Sequence, residues 1–227
     1  MEQARSKQPM GQRVPEKTIT RLSIYLRCLE ELVADGITAV SSQQMAERFG
    51  LNSAQVRKDL AYFGQFGVRG LGYYTERLKH NLERILGLKQ PWEVALVGLG
   101  NLGSALLNYR GFQQRGFRIS VVFDNDPKKV GWRIGSVPIF HVERLIPVLK
   151  RRRIKMAVIA VPAGAAQAVT DQLVAAGVNA ILNFAPTQLS VPKKIKVQNV
   201  DLSVMLKTLS FYTIRSTRDS RLRELKK

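Results

Sequence analysis

The sequence predicts an α/β protein in which a winged helix-turn-helix domain precedes a Rossmann-like domain with a parallel sheet. The first observation is a G-x-G-x-x-G pattern, at Gly98, Gly100 and Gly103, between an apolar run and a helical segment. The second is a pair of short helical patterns separated by a glycine turn within residues 41–63. The third is a series of short apolar runs after residue 90 that alternate with helical segments, as a parallel sheet requires.

Composition indicates a globular protein of a reducing compartment. Cys28 is the only cysteine of the 227 residues, so no intramolecular disulfide can form. The early basic residues are not followed by the apolar segment that a signal peptide needs. The most apolar stretch, residues 156–169, is interrupted by Pro162 and Gly164 and is too short to span a bilayer. We expect a soluble cytoplasmic protein with no membrane partner.

The formal net charge of +19 favours nucleic acid or another anionic surface as a partner. Residues 1–90 contain 14 Lys and Arg against 9 Asp and Glu, and residues 91–227 contain 22 against 8. Most of the excess therefore lies outside the segment that we assign to DNA below. Charge alone does not identify the function.

Residues 1–14 are polar and lack periodicity, and we expect a mobile arm there. From Thr18 onward, apolar residues recur at three- and four-residue steps, which predicts a helix that Gly36 terminates. Arg27 lies on this helix but off its apolar stripe, so it is either solvated or available to another surface. The stripe consists of Ile19, Leu22, Leu26, Leu29 and Val33.

Residues 41–63 predict a helix-turn-helix. Ser41 and Gln44 have the spacing of a capping box, Gly50 makes the turn, and Asn52 caps the second helix. The inward stripe of the second helix is Val56, Leu60 and Phe63. Arginine and lysine on its outward face suit guanine edges or phosphates, and glutamine suits adenine. The predicted DNA-contacting residues of this helix are Gln55, Arg57, Lys58 and Tyr62.

Residues 64–74 combine four glycines with aromatic residues and one arginine. Glycine at this density weakens a strand unless the backbone turns sharply or approaches something closely. A hairpin wing beside the second helix meets that condition and would present Arg69 to a minor groove or a phosphate. The alternative is an ordinary helical hairpin with a solvated charged face, which the wing makes less favoured.

A further helix is predicted over residues 75–87, and residues 87–91 end it and mark a domain boundary. His80 lies among charged neighbours on this helix and is assigned to the surface. The predicted organisation is a mobile arm at 1–14, a winged-helix DNA-binding domain at 15–90, a Rossmann-like NAD(H)-binding domain at 91–201, and a C-terminal helix with a basic tail at 202–227.

Residues 94–107 give the glycine pattern the context that a dinucleotide-binding turn requires, with a strand before it and a helix after it. The first glycine allows the tight turn, the second lets the backbone approach a pyrophosphate, and the third lets the helix pack on the strand. The helix N-terminus adds free N–H groups and a partial positive charge. The turn residues predicted to bind the cofactor are Gly98, Leu99, Gly100, Asn101, Leu102 and Gly103.

Asp124 closes the next apolar run, about 20 residues beyond the glycines. An aspartate there accepts a hydrogen bond from the ribose 2′-OH and repels a 2′-phosphate, which favours NAD+ and NADH as the cofactors. Lys128 and Lys129 follow in the next turn and leave the phosphorylated cofactor open.

Beyond Asp124 the pattern continues as strands and helices. A strand over 137–140 leads to a helix over 141–153, whose basic end at 150–153 suits the helix dipole or, alternatively, a phosphate. Residues 156–161 and 180–186 predict buried strands whose following loops face the cofactor crevice. The predicted contacts of the nicotinamide half are Val161, Pro162, Asn183, Phe184 and Ala185.

A last strand over 196–200 leads through Asp201 to the final helix. The apolar side chains of residues 202–214 occupy more than one helical face, so a single surface cannot bury them all. We expect this helix to lie between surfaces, one of them from a second subunit. Residues 215–227 are basic, and we expect a solvated tail.

The sequence offers little of what a dehydrogenase needs. Hydride transfer requires an acid or base at the substrate carbonyl, and the two histidines, His80 and His141, are poorly placed for it. No metal-ligand cluster or nucleophile arrangement is apparent. An NAD-dependent oxidoreductase with an accessory N-terminal helical domain stays open as the alternative. A non-catalytic nucleotide-binding adaptor is less favoured because it leaves the wing unexplained.

Seven segments resemble the Rex family of bacterial redox-sensing transcriptional repressors, and the resemblance extends over residues 15–214. The segments are 56–60, 62–64, 67–73, 95–103, 123–127, 183–186 and 199–201. The resemblance implies a homodimer, not an enzyme, that binds a two-fold operator in double-stranded DNA, with NADH releasing it and NAD+ permitting binding. It also implies that the C-terminal helix is exchanged between subunits.

The family's switch residues match Arg27, Tyr109 and Asp201 here. The resemblance implies that Asp201 of one subunit pairs with either Tyr109 or Arg27, according to the nicotinamide state. Leu202 departs from the pattern, because some members carry phenylalanine at that place. Redox sensing of this kind involves neither a metal nor thiol chemistry at Cys28.

Overall fold

The structure is a computed structural model that describes residues 14–224, with the side chains described as far as residue 214. Residues 1–13 of the arm predicted at 1–14, residues 225–227, and the side chains of the predicted basic tail lie outside the described part. The chain divides between Gln90 and Pro91 into two compact units, which are described separately. Among the described residues, no helix has both the length and the apolar character to cross a membrane.

The first unit consists of helices and one short antiparallel sheet. In this unit β1 pairs with β2, and a tight hairpin precedes β2. The elements are α1 (Glu16–Ala34), β1 (Ala39–Val40), α2 (Ser42–Phe49), α3 (Ser53–Ala61), β2 (Tyr73–Tyr74) and α4 (Thr75–Ile85).

The core of the first unit forms where α1 packs against α3 and α4. The predicted stripe of α1 is partly wrong: Ile19 is exposed and Val33 is only half-buried. α1 packs against α3 on one side and against α4 on another. It therefore buries a wider arc than the predicted stripe, and that arc does not include Ile19. The buried residues of α1 are Thr18, Leu22, Tyr25, Leu26, Cys28, Leu29 and Leu32.

Local capping positions the two helices of the predicted helix-turn-helix. Ser41 Oγ accepts from Gln44 N–H at 3.1 Å and Gln44 Oε1 accepts from Ser41 N–H at 2.8 Å, which confirms the capping box. Gly50 ends α2 in the left-handed conformation. Asn52 Oδ1 then accepts from Gln55 N–H at 2.9 Å and starts α3.

The glycine-rich segment after α3 forms the predicted tight hairpin. Val68 N–H donates to Gly72 O at 2.7 Å, and Gly72 N–H donates back to Val68 O at 2.9 Å. Gly72 has φ +97°, and a Cβ there would meet Val40 O at 2.5 Å, so glycine is required where the hairpin joins β1. Arg69 lies exposed at the tip.

The second unit is built on a seven-stranded sheet in the order β5-β6-β4-β3-β7-β8-β9. All neighbouring strands are parallel except β5, which pairs antiparallel with β6 and was not predicted. The elements are β3 (Trp92–Val97), α5 (Asn101–Asn108), α6 (Arg110–Gln114), β4 (Phe117–Asp124), β5 (Arg133–Ile134), β6 (Val137–His141), α7 (Leu145–Arg152), β7 (Met156–Ile159), α8 (Ala163–Ala175), β8 (Ala180–Asn183), β9 (Lys196–Asn199) and α9 (Leu202–Glu224).

Helices cover both faces of this sheet, which confirms the predicted α/β architecture. α7 and α8 pack on one face, and α5 and α6 pack on the other. Residues 125–136, which join β4 to β6, contain β5 and no helix, so the second face lacks one crossover helix.

Two predicted helix boundaries need correction. The helix predicted over 141–153 starts later, because His141 ends β6 and a 3-10 turn at Val142–Arg144 precedes α7. Pro147 lacks an N–H and is tolerated in the first turn, which places the helix start at Leu145. The final helix is longer than predicted and continues to Glu224, since residues 215–224 contain neither glycine nor proline.

Candidate nucleotide site and DNA-contacting surface

The carboxyl ends of β3, β4, β7 and β8 form the crevice in which a doubly wound sheet binds its ligand. The chain runs outward from β3 through β4 to β6, and then returns to the other side of β3 as β7. The switch point therefore lies between β3 and β7. Ala160 N–H donates to Val97 O at 2.8 Å, and Gly98 N–H donates to Phe123 O at 2.8 Å, so the three strands end together.

The glycine turn occupies this switch point, and a side chain would clash at two of its three glycines. Gly98 has φ +94°, and a Cβ there would meet Ala160 O at 2.5 Å. A Cβ at Gly103 would collide with Gly98 O, so α5 could not pack so closely on the turn. At Gly100 a Cβ would meet nothing within 4 Å, which leaves open space in front of the backbone.

Asp124 fixes the glycine turn from the end of β4. Its carboxylate is 7% exposed and accepts from Leu99 N–H at 2.6 Å and from Asp126 N–H at 2.8 Å. The motif predicts only a ribose contact for Asp124 and does not predict this bond to the turn. The spacing of the two segments carries no signal for it, because any acidic residue at the end of β4 would satisfy the motif.

Lys129 is shared by two carboxylates beside the glycine turn. Lys129 Nζ lies 3.8 Å from Asp124 Oδ2 and 3.4 Å from Asp126 Oδ2, so one cation serves two carboxylates. A hydrogen bond from the backbone N–H of Lys128 lowers the pKa of Asp126 and keeps it ionised. Lys128 is exposed, and its backbone is committed to this turn.

On the other side of the crevice, the residues predicted for the nicotinamide half divide into two groups. Val161, Pro162 and Phe184 are half-buried or exposed and have side-chain surface to offer a ligand. Asn183 and Ala185 are buried, as is Leu99 in the glycine turn, so a contact from these residues is through backbone atoms. Asn101 and Leu102 are exposed at the start of α5.

Asn183 instead holds the loop after β8 in place. Its Nδ2 donates to Ala185 O at 3.1 Å, to Thr187 O at 3.0 Å and to Asn199 Oδ1 at 2.9 Å. Its Oδ1 accepts from Ala185 N–H at 3.0 Å. The side chain predicted to contact nicotinamide therefore shapes the crevice wall.

In the first unit, α3 and the hairpin present the predicted DNA-contacting residues. Arg57, Lys58 and Arg69 are exposed, and Tyr62 is half-buried. Arg57 Nη1 donates to Ser42 Oγ at 2.8 Å, which orients the guanidinium along the start of α2.

Below this surface, a buried carboxylate joins α3 to α1. Asp59 is 0% exposed and accepts from Thr18 Oγ1 at 3.1 Å, from Tyr25 Oη at 2.9 Å and from Arg21 Nη2 at 2.8 Å. Burial by itself would raise the pKa of Asp59, but these hydrogen bonds outweigh it and hold the pKa at about 2. This cluster was not predicted from the sequence, although Asp59 lies on the inward face with Val56, Leu60 and Phe63.

Gln55 belongs to the same cluster. Its Nε2 donates to Asp59 Oδ1 at 2.9 Å, and because a carboxylate accepts only, the amide nitrogen must face inward. This bond uses one hydrogen of Nε2 and leaves Oε1 and the second hydrogen of Nε2. The contact of Gln55 with adenine therefore stays a prediction.

The three predicted switch residues lie on the surface of their own units. Arg27 is exposed on α1 and Tyr109 is 55% exposed, where it separates α5 from α6 and contacts Phe112 edge-on. Asp201 caps α9, since its Oδ1 accepts from Ser203 N–H at 2.9 Å and from Val204 N–H at 3.2 Å. The hydrogen bond from Ser203 Oγ is the main reason that the pKa of Asp201 is lowered.

The described residues contain no cluster of His, Cys, Asp and Glu suited to a metal ion. Cys28 is 3% exposed in the first core, and burial raises the pKa of its thiol. A buried thiol with a raised pKa is a poor nucleophile.

Two family models match the chain, one in each unit. Residues 13–61 match the model described as "Putative DNA-binding protein N-terminus". Residues 89–187 match the model described as "CoA binding domain".

Curated relatives match most of the chain. A redox-sensing transcriptional repressor Rex of Pelotomaculum thermopropionicum is 53% identical over 199 residues, which cover 88% of this chain and 93% of that protein. The repressor Rex of Streptomyces coelicolor is 48% identical over 199 residues, covering 88% of this chain and 77% of that protein.

Solved structures agree with these relatives. RSP in complex with β-NAD+ and operator DNA is 37% identical with a TM-score of 0.86, and the match covers 94% of this chain and 98% of that chain. RSP in complex with β-NADH is 35% identical with a TM-score of 0.82, covering 93% of this chain and 100% of that chain. RSP is a Rex-family repressor, and this protein shares its fold. The chain therefore belongs to the Rex family of redox-sensing transcriptional repressors.

Proposed function

We propose that this protein represses transcription by binding operator DNA through its first unit and that NADH, bound in its second unit, releases it. The observation that carries the proposal is the crevice at β3 and β4, where Asp124 clamps a three-glycine turn. In the same chain, a capped helix-turn-helix exposes basic side chains. RSP, which shares the fold of this chain, has been solved in complex with β-NAD+ and operator DNA and in complex with β-NADH.

The DNA contacts are assigned to α3 and the hairpin. Arg57 and Lys58 are exposed on α3 and suit guanine edges or phosphates, and Arg69 at the hairpin tip suits a minor groove or a phosphate. Tyr62 completes the surface. Gln55 offers its carbonyl Oε1 as an acceptor and the second hydrogen of Nε2 as a donor, since the first is donated to Asp59, so it still suits adenine.

The nucleotide contacts are assigned to the glycine turn, Asp124 and the loops after β7 and β8. The pyrophosphate fits the open space at Gly100 beside the N-terminus of α5. Asp124 keeps acceptor capacity for a ribose hydroxyl while it holds Leu99 N–H. Asp124 would repel a 2′-phosphate, and Lys129 is already engaged by two carboxylates, which supports NADH and NAD+ over their phosphorylated forms.

A homodimer is supported by α9. Its apolar side chains point in several directions and are each 54–70% exposed in the single chain. Apolar surface of this extent on a folded domain marks an interaction site. Exchange of α9 between two copies would bury it, as the family resemblance implies. The residues concerned are Leu202, Val204, Met205, Leu206, Leu209, Phe211, Tyr212 and Ile214.

The switch is assigned to Arg27, Tyr109 and Asp201. In this proposal Asp201 of one subunit pairs with either Tyr109 or Arg27, according to the nicotinamide state. The lowered pKa of Asp201 keeps its carboxylate ionised for either partner. NADH releases DNA only if it binds the DNA-incompetent arrangement more tightly than the competent one.

The proposal makes the protein a regulator that does not consume its nucleotide. His80 is exposed on α4, and His141 lies at the end of β6, two strands away from the switch point on the ribose side. Neither is placed to act as an acid or base at a substrate carbonyl.

The test is DNA binding measured by fluorescence anisotropy, with an inverted-repeat duplex from the promoter of the protein's own regulon. The apo, NAD+ and NADH states are compared at one salt concentration, because phosphate contacts make affinity strongly salt-dependent. Release by NADH but not by NAD+ is expected. Specific binding that ignores both nucleotides would overturn the sensor assignment, and oxidation of NADH with a small carbonyl substrate would point to an oxidoreductase.

A further inference from the structure

We propose that a basic surface on the second unit binds the phosphate backbone of double-stranded DNA without regard to sequence. This surface, called here the amino-edge surface, lies at the amino ends of the sheet strands, opposite the nucleotide crevice. It consists of Arg118, Lys150, Arg151, Arg152, Arg153, Lys155, Lys193, Lys194 and Lys196. The inference rests on the proposed function only for the identity of the polyanion.

Backbone hydrogen bonds place these residues along one edge. Asn179 N–H donates to Lys155 O at 3.0 Å, and Lys196 N–H donates to Asn179 O at 2.9 Å, so Lys155 and Lys196 lie two strands apart. That separation is about 10 Å, and the edge from β4 to β9 spans roughly 19 Å. Arg152 Nη1 donates to Ser120 O at 3.1 Å and ties the end of α7 to β4.

Acidic side chains neutralise little of this charge. Residues 145–199 contain eight Lys and Arg and one acidic residue, Asp171, which accepts from Gln167 at 2.8 Å. At the edge itself, Glu93 binds Arg118 at 2.7 Å. Helix-dipole complementarity accounts for residues 150–153 at the end of α7, but it acts only within the last turn. It does not account for the lysines on β9 and on the loop before it.

Arg153 gives an independent indication that the charge is useful there. It is in the left-handed region with φ +56°, and it has the one positive φ among the non-glycine residues that the structure describes. Its N–H caps α7 by donating to Leu149 O and Lys150 O, a position where glycine is usual and asparagine is tolerated. An arginine at this position therefore weakens the fold in exchange for a positive charge at the edge.

The surface fits a polyanion better than a protein. Among the described residues at the amino ends of β4, β3, β7, β8 and β9, Trp92 is the one large apolar side chain that is exposed, at 38%. Protein interfaces need an apolar core, which is missing here. Exposed cations spread over roughly 19 Å suit the regular charge of a DNA backbone.

The experiment uses the full-length protein and a duplex without operator sequence. Binding is followed by anisotropy over a series of salt concentrations for Lys150→Gln with Arg151→Gln. The matched control is Lys128→Gln with Arg144→Gln, which removes one lysine and one arginine at the opposite edge of the same sheet. The amino-edge pair should lower the salt slope by about 0.9 for each phosphate that the surface no longer neutralises, and the control pair should leave it unchanged.

Arg153→Asn gives a second readout that a structural role would not produce. Asparagine tolerates the left-handed conformation better, so the melting temperature should stay the same or rise while non-operator binding weakens. A lower melting temperature with unchanged binding would contradict the proposal.

Three further outcomes would overturn it. In the first, the amino-edge pair and the control pair lower the salt slope equally. In the second, the amino-edge pair leaves the salt slope unchanged. In the third, the amino-edge pair abolishes binding to phosphatidylserine vesicles or polyglutamate while DNA binding stays intact. The ratio of operator to non-operator affinity at one salt concentration tests the proposed function separately. A ratio of one would reject the repressor, while the salt slope would still decide the amino-edge surface.

Discussion

The two units use buried aspartates in opposite ways. In the first unit, Asp59 accepts hydrogen bonds from side chains of α1 and α3 and so joins the two helices. In the second unit, Asp124 accepts hydrogen bonds from backbone N–H groups of two loops and so fixes the shape of the ligand crevice. The hydrogen bonds of Asp59 should therefore contribute to the stability of the DNA-binding unit. Those of Asp124 should contribute to the affinity for a nucleotide.

The largest effect is expected from removing the Asp59 carboxylate. Asp59→Ala leaves Thr18 and Tyr25 buried without their acceptor and the Arg21 cation without its partner, so the free energy of unfolding of the first unit should fall by about 3 kcal/mol. Urea unfolding followed by far-UV circular dichroism measures it. Asp35→Ala is the control, since it removes the exposed ion pair with Arg48 and should change stability by less than about 1 kcal/mol. Equal losses in the two variants would contradict the role of Asp59.

Acid should unfold the first unit for the same reason. The pKa of Asp59 is about 2 in the folded protein, below the ordinary value of about 3.9 in an unfolded chain. Its contribution, about 3 kcal/mol, is thus complete above about pH 5 and is lost as the pH falls toward 2. Urea midpoints between pH 5 and pH 2 should fall steeply in the wild type and more shallowly in Asp59→Asn. Parallel pH profiles would count against this assignment.

What the sequence predicted, and what it missed, follows the same division. Ser41, Gly50 and the glycine turn act through local geometry, and their spacing predicted the caps, the turns and the crevice. Asp59 binds Thr18, Arg21 and Tyr25, which lie 34 to 41 residues away, and no local pattern encodes such partners. Its place between Val56 and Leu60 on the inward stripe was the available signal.

The site shows the same limit. The pattern identified Asp124 and Asn183, but not that Asp124 would hold Leu99 N–H or that Asn183 would be consumed by the loop after β8. These bonds depend on how strands from distant segments end side by side. The late start of α7 could have been predicted, because Pro147 is local.

The next largest effect tests the crevice. Asp124→Ala removes the acceptor of Leu99 N–H and of the ribose hydroxyl, so NADH should bind about 10- to 100-fold more weakly, which corresponds to roughly 1.4–2.8 kcal/mol. Isothermal titration calorimetry measures the affinity. Asp126→Asn, one turn away, should change it much less. Unaltered NADH binding by Asp124→Ala would place the nucleotide elsewhere.

Asp201 lies between the two types, because it caps its own helix and is also proposed to switch. Asp201→Asn retains a good N-cap but loses the charge, whereas Asp201→Ala loses both. If the carboxylate pairs with Arg27 and Tyr109, both variants should bind operator several-fold more weakly and respond less to NADH. Anisotropy titrations with and without NADH measure this. A normal response in Asp201→Asn, with a defect only in Asp201→Ala, would reduce Asp201 to a cap.

The smallest effect is expected from Cys28→Ser, which tests which unit senses the redox state. Cys28 is buried in the first core with a raised thiol pKa, while the nucleotide crevice belongs to the second unit. Cys28→Ser should cost about 1 kcal/mol of stability, because a buried hydroxyl needs a hydrogen bond that the adjacent helix turn supplies only in part. NADH should still release the variant from operator DNA, and hydrogen peroxide should not. Anisotropy under both treatments distinguishes the two chemistries: peroxide-driven release that disappears in Cys28→Ser would transfer the sensing to the thiol.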